Sequence, residues 1–385
     1  MRLKRQADDF VVTELLNVEP VGGAFAVYRL TKTEIGTHEA LAQISRTWNL
    51  PRHQVSHCGL KDRKALTSQT ITIRNGPRHD LQQDSFEVCY VGQTNEAANA
   101  GWIQANQFEI VLRDTGSETA QRLESLCRQS DSLAFPNYFD EQRFGSLGAS
   151  GEFSAAAACR RDYERAIWLL LADPGSFDFT DEKREKGILR EHWGDWTVCK
   201  ERLSRSHRRS VVTYLVDHSQ GFRKAYGLIR PELRGLTLSA FQSAVWNRML
   251  ATWLESSGSS TDTVTAGDAE LPIGMIPESS VDARLPLVSS RSRGLSQKQE
   301  QLAEAALRHY GLTRREMKIS FPRDRFFSRA ERLCLLRPTD LSATTAKDEL
   351  YPDRMKINLS FSLPAGSYAT MLLRGLSVAV EETLS

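Results

Sequence analysis

One stretch of the chain sets a single carboxylate among cations: Gly59-Leu60-Lys61-Asp62-Arg63-Lys64-Ala65. Coulombic attraction from Lys61, Arg63 and Lys64 favours the ionised form of Asp62, and Gly59 ahead of it suits a sharp turn of the backbone. Such an aspartate can meet phosphates or act as a nucleophile. Taken alone, the tetrapeptide also fits a solvated turn between apolar segments. A second stretch, Phe135-Pro136-Asn137-Tyr138-Phe139-Asp140-Glu141-Gln142-Arg143-Phe144-Gly145, mixes aromatic rings with Asn137, Gln142 and Arg143 in neither helical nor strand periodicity. Ring faces with amide and guanidinium groups are what holding an unstacked nucleobase requires. An aromatic loop capping a core is the alternative.

The elements that must position these residues follow from periodicity. Phe10–Leu15 and Phe25–Leu30 read as strands, and Gly22-Gly23 between them suggests a hairpin-like return. Thr37 reads as a helix cap with Glu39 in the first turn; Ala40, Leu41, Ile44 and Trp48 recur at helical spacing until Pro51. Thr70–Ile73 alternates as a strand, so Asp62 falls in a loop between a helix and a strand. Gln107–Arg113 alternates again, with Phe108, Ile110 and Leu112 on one face. Ala155–Leu171 is helix-like, Ser239–Leu254 carries an apolar helical stripe in which Gln242 and Asn247 could line a groove, and Gln297–Tyr310 is a further helix. Glu255–Thr263, rich in Ser, Thr and Gly, reads as a loop. Lys356–Leu363 alternates cleanly, then turns at Pro364-Ala365-Gly366 into a short helix from about Ser367. Without a regular βαβ rhythm, the mixture favours α+β with a mainly antiparallel sheet.

Bulk properties exclude several classes. At 385 residues with 25% charged and 40% hydrophobic residues, the chain has the balance of two or three globular domains rather than of a disordered protein. A net charge of +2 does not announce nucleic-acid binding, so any basic surface must come from local clustering, as in Lys183–Arg209 with Trp193 and Trp196 interleaved. Six scattered cysteines without a Cys-x-x-Cys pair point to reduced thiols in a cytoplasmic setting, with no disulfide framework and no metal site. His57 and Cys58 read as structural, since an adjacent pair cannot build a four-coordinate site. The charged amino terminus carries no secretory pattern, and no apolar run approaches a membrane span.

In order along the chain, these motifs resemble those of the TruD family of tRNA pseudouridine synthases. Gly59–Ala65 and Asn137–Gly145 are similar to its two signature motifs. Lys4-Arg5-Gln6-Ala7-Asp8-Asp9-Phe10 resembles its amino-terminal lysine and Pro-Glu-Asp-Phe element, with Ala7-Asp8 in place of Pro-Glu. Ser239–Ser243 with Asn247-Arg248 resembles the helix opening the inserted domain, and Phe361–Thr370 the carboxy-terminal strand and turn. Cys58, Asp140 and Gly36-Thr37 depart from the usual alanine, glycine and Asn-Thr. From about Ser150 to Arg230 little matches.

The resemblance implies a pseudouridine-synthase-type catalytic domain over residues 1–148 and 332–385, with an inserted α/β domain over 149–331 and a cleft between them for RNA. It implies uridine isomerisation in tRNA, at position 13, with no cofactor, no membrane and no obligate protein partner. Asp62 is then the catalytic carboxylate and Lys4 its basic partner. Phe139 packs on the target base beside Asn137, and Tyr368 supplies a second ring where phenylalanine is usual. Lys61, Arg63 and Arg143 complete the substrate-binding set, contacting phosphates or orienting Asp62. Modification of mRNA or another structured RNA, and a non-catalytic tRNA-binding chaperone, are the competing readings.

Overall fold

Residues 1–128, 133–176, 178–256, 262–276, 283–319, 321 and 327–381 are described in a computed structural model of the chain. They divide into two units, one of Met1–Phe135, Met275–Ser279 and Leu336–Ser385, the other of Pro136–Gly274 and Ser280–Leu335. Residues 136–148 thus group with the second unit, whereas the sequence reading groups them with the first. The reason lies in the Asn137 segment, whose main-chain amide donates to the Cys334 carbonyl at 2.9 Å.

The first unit opens with β1 (Phe10–Leu16), β2 (Phe25–Lys32), α1 (Thr37–Thr47), β3 (Val55–His57), β4 (Leu66–Arg74), β5 (Leu81–Gln83), β6 (Phe86–Thr94), β7 (Ile103–Thr115) and α2 (Ser117–Cys127). After β8 (Phe135–Pro136) come α3 (Ser154–Cys159), α4 (Tyr163–Leu171), α5 (Thr180–Glu191), α6 (Trp196–Arg202), α7 (His207–Asp217), α8 (Phe222–Leu228) and α9 (Pro231–Glu255). Strands β9 (Thr263–Ala266), β10 (Ala269–Pro272) and β11 (Arg284–Pro286), helix α10 (Gln297–His309), and strands β12 (Glu331–Leu333) and β13 (Leu335–Leu336) follow. The chain closes with β14 (Thr339–Lys347), β15 (Met355–Pro364) and α11 (Ala369–Ala379).

The main sheet runs β14-β15-β7-β1-β4-β2-β6-β5, with β3 also paired to β4. Its pairs are antiparallel except β1 with β4, which is parallel, so the fold is α+β with a large mixed sheet. The expected hairpin between β1 and β2 does not form, because β4 inserts between them. Thr67 and Ser68 pair with Val12 and Thr13 on one side and with Lys32 and Thr31 on the other. The loop that precedes β4, and carries Asp62, therefore emerges from the middle of the sheet.

Alternation decides which faces are covered. Ala26, Tyr28 and Leu30 of β2, Ile71 and Ile73 of β4, and Phe86 and Val88 of β6 form one core with Ala40, Leu41 and Ile44 of α1. Each large apolar side chain contributes roughly 1.5–3 kcal/mol by leaving water. On β7, Phe108, Ile110 and Leu112 are buried as their alternation predicts, and Phe108 stacks on Phe361 of β15 at 5.3 Å.

Within the second unit, the helix predicted over Ala155–Leu171 is two helices, α3 and α4. Arg161 takes a left-handed φ of 65°, and the Asp162 side chain caps α4 by accepting from the Arg165 amide. The unit is helical with short antiparallel strand pairs, β9 with β10 and β11 with β12, rather than the α/β layering expected. Part of the Glu255–Thr263 loop, residues 257–261, lies outside the described residues. Among the described residues no helix is long and apolar enough to cross a membrane.

Candidate active site

Asp62 stands in the first unit on the loop between β3 and β4, with its side chain 33% exposed. The cations beside it in sequence do not surround it. Lys61 turns inward, its side chain 9% exposed, to pair with the buried Glu14 at 3.0 Å and to donate to Asn106 Oδ1 at 2.6 Å. Arg63 points outward to Glu39 at 2.9 Å. The cation that meets the carboxylate is Lys4, whose Nζ lies 2.8 Å from Asp62 Oδ2.

Two arrangements deliver Lys4 there. Its backbone has a left-handed φ of 56°, and its ammonium lies 4.0 Å from the centre of the Phe10 ring, a cation–π contact. The turn that follows is fixed by Asp9, which accepts the amides of Arg5 and Gln6 and binds Arg113. Arg113 is buried and also reaches Asp348 at 3.1 Å and Glu349 at 3.0 Å. Strand β7 thus ties the amino-terminal turn to the segment between β14 and β15.

The backbone of the Asp62 loop is held by side chains from other elements of the same unit. Thr37 does not cap α1; the N-cap position is Gly36. Its hydroxyl instead accepts the Lys61 amide at 3.0 Å and donates to Gln69 Oε1 at 2.9 Å, while Gln69 Nε2 donates to the Gly59 carbonyl at 3.0 Å. Gly59 is not among the described residues with a left-handed φ, so it does not use the conformation that glycine alone adopts freely. Lys32, which sequence reasoning missed, is buried at the end of β2 with its ammonium directed at the carbonyls of Ile35 and Asp62. A signal for it existed. Tyr28, Leu30 and Lys32 occupy alternate positions of one strand, and a lysine closing an apolar row requires polar partners inside. Cys58, beside this loop, is buried, and burial pushes its thiol up to about 12, with Glu14 adding to the effect.

Asn137, Phe139 and Arg143 lie in the second unit and come together there. Asn137 is buried; its Nδ2 donates to the Leu333 carbonyl at 3.0 Å and its Oδ1 accepts from Arg332 at 2.6 Å. The Arg332 guanidinium stacks 4.2 Å from the centre of the Phe139 ring, with Arg143 at 5.3 Å. Trp246 meets the same ring edge-on. Phe139 is accordingly buried in this conformation. Arg332 carried no sequence signal, since its partners are almost two hundred residues upstream. Gln242 and Asn247 do not line a groove. Gln242 bonds the main chain of Val288 and Ser328, and Asn247 bonds the main chain of Phe139. Tyr368 belongs to the first unit, half-buried at the N-cap of α11. In the basic segment, Arg208 pairs with Glu182 and Glu185, Lys186 with Asp178, and Arg209 donates to the Lys200 carbonyl.

A nearly complete solved structure shares this fold. The crystal structure described as that of the "Putative tRNA pseudouridine synthase D (TruD)" from Methanosarcina mazei superposes with a TM-score of 0.70 at 22% identity, covering 97% of this chain and 92% of that one. The likeness extends to a mixed α+β architecture built on a large mixed sheet. The family model for tRNA pseudouridine synthase D (TruD) matches residues 1–376, and the chain belongs to that family of isomerases. Among curated relatives, the tRNA pseudouridine synthase D of Aquifex aeolicus is 25% identical over 98% of both chains. That of Leptospira interrogans is 26% identical over 97% of this chain and 95% of its own.

Proposed function

We propose that this protein converts uridine to pseudouridine in tRNA, at position 13, with Asp62 as the reactive carboxylate and no cofactor. In that reaction the C1′–N1 bond breaks, the freed uracil turns, and a C1′–C5 bond forms while a proton leaves C5 and one arrives at N1. Redox balance is kept within the substrate. The target nucleotide must first leave its stack, at a cost of a few kcal/mol, after which an ionised carboxylate serves as nucleophile or base.

The observation that carries the reading is the ion pair of Lys4 Nζ with Asp62 Oδ2 at 2.8 Å, formed by the two residues that the family motifs single out. An adjacent ammonium favours the ionised carboxylate where approaching phosphates would oppose it. Phe139, Asn137 and Arg143 are the second unit's proposed contribution to RNA binding, and Tyr368 and Arg63 that of the first. Lys61 has a different proposed part, because its ammonium is committed to Glu14 and Asn106 and supports the loop from inside.

The test is incubation with unmodified cellular tRNA, with pseudouridine mapped by carbodiimide-dependent reverse-transcription stops. A stop at position 13 with wild type and none with Asp62→Asn is expected. Product made by Asp62→Asn would remove the catalytic assignment, and wild-type binding without product would favour a chaperone.

A further inference from the structure

Lys32 is a buried cation that the chemistry outlined above does not use. It ends β2 opposite Thr67 of β4 and Phe86 of β6, in the row that Tyr28 and Leu30 fill with apolar bulk. Only 1% of the residue is exposed. Placing an ammonium there is costly unless each N–H finds an acceptor. It does: Nζ donates to the carbonyls of Asp62 at 2.7 Å, Ile35 at 2.9 Å and, more weakly, Lys61 at 3.4 Å. All three donors of the ammonium are thereby used.

Two of those acceptors belong to the reactive loop. The amide of Lys61 is held by Thr37 and its carbonyl by Lys32, while the next carbonyl, that of Asp62 itself, is the shortest contact Lys32 makes. The peptide groups on both sides of the Asp62 Cα are therefore fixed, and with them the direction in which its side chain leaves the backbone. We infer that Lys32 is the positioning residue of the Asp62 loop, its charged ammonium holding the carboxylate in the orientation that reacts. This rests on the reading of Asp62 as the reactive group.

The charge is a functional part of the clamp. A neutral amine has two N–H groups for three carbonyls and turns a lone pair toward one of them. Burial pushes the Lys32 ammonium down to about 8; Asp62 opposes that shift, and Lys61 and Arg63 reinforce it. Among the described residues, these are the charged groups that act on it. The clamp is intact below that value and loosens as pH rises through it, and a displacement of about 1 Å at a reacting group lowers rates on the order of 100-fold.

Single-turnover pseudouridine formation and tRNA affinity are to be measured from pH 6.5 to 9.5 for wild type, Lys32→Met, Lys32→Arg and Asp62→Asn. Expected is a wild-type rate that falls above about pH 8, with tRNA affinity corrected for separately. In Lys32→Arg, whose side chain stays cationic throughout, the fall should vanish or move to higher pH. Lys32→Met should lose roughly 100-fold in rate with tRNA affinity within about threefold. A wild-type rate that does not fall across this range overturns the inference even if neither Lys32 variant folds. So does the same alkaline fall in Lys32→Arg, or a Lys32→Met enzyme of wild-type rate. An active Asp62→Asn removes the reading of Asp62, whereas an active Lys32→Met beside an inactive Asp62→Asn removes only the role of Lys32.

Discussion

Asn247 and Phe139, 108 residues apart in sequence, are joined amide to peptide: Asn247 Oδ1 accepts the Phe139 N–H at 2.9 Å and its Nδ2 donates to the Phe139 carbonyl at 2.8 Å. A buried asparagine thus satisfies both main-chain groups of a residue that no regular element pairs. Removing it strands two buried polar groups, at about 1–3 kcal/mol each. Asn247→Ala should therefore lower stability by roughly 2–6 kcal/mol, read as the shift in urea midpoint. A shift below about 0.5 kcal/mol would mean that water or a neighbour takes over both bonds.

The basic segment divides into structural and exposed cations. Arg208, with its side chain 17% exposed, is held by Glu182 and Glu185, whereas Arg205 is exposed. As a hypothesis, Arg205→Ala lowers the slope of log affinity against log salt by about 1, as loss of one phosphate contact does. Arg208→Ala should leave that slope unchanged and lower stability by about 1–3 kcal/mol. Filter binding of tRNA from 50 to 300 mM salt, on the order of the range where counterion release is measurable, decides it; equal slope changes in both variants would contradict the division.

Acid should loosen the junction held by Arg113. Burial alone would raise the Asp348 carboxyl, but the amides of Asp114 and Leu350 and the Arg113 guanidinium outweigh it and lower it. Glu349 is held down at about 2 by Lys356 first, then by its own amide and Arg113. Groups depressed in the folded state stabilise it fully above their ordinary range and lose that contribution as pH falls toward the folded value. The urea midpoint should hence fall between about pH 5 and pH 2.5, and less steeply in Asp348→Asn. Parallel curves for the two proteins would place the acid sensitivity elsewhere.

What was legible in the sequence divides along the same physical line. Alternation found β7 and β15, and helical spacing found α1, α9 and α10, because each pattern is local. The motif around Asp62 was visible too, and resemblance to the family already gave it Lys4 as a basic partner, but its local electrostatics were not legible. Neighbours in sequence suggested Lys61, Arg63 and Lys64 as its cations, whereas strand pairing sends Lys61 to Glu14, Arg63 to Glu39, and brings Lys4 from 58 residues upstream. Thr37 departs from the cap expected of it for a related reason: a hydroxyl before a helix fits two roles, and the competing donor, the Lys61 amide, comes from a distant loop. No local pattern could reveal that β4 lies between β1 and β2, since a parallel neighbour leaves no turn signature between the strands it joins.

The placing of β15 has a consequence for how the protein is made. Translation delivers Lys4 and Asp62 early, yet β7 pairs with β1 on one edge and with β15 on the other. Until Met355–Pro364 emerges, β7 offers an open edge. A nascent chain consequently carries the Asp62 loop well before it has the strand that completes the sheet. An aborted chain that stops before β15 holds the loop around Asp62 but lacks the strand that covers the open edge of β7.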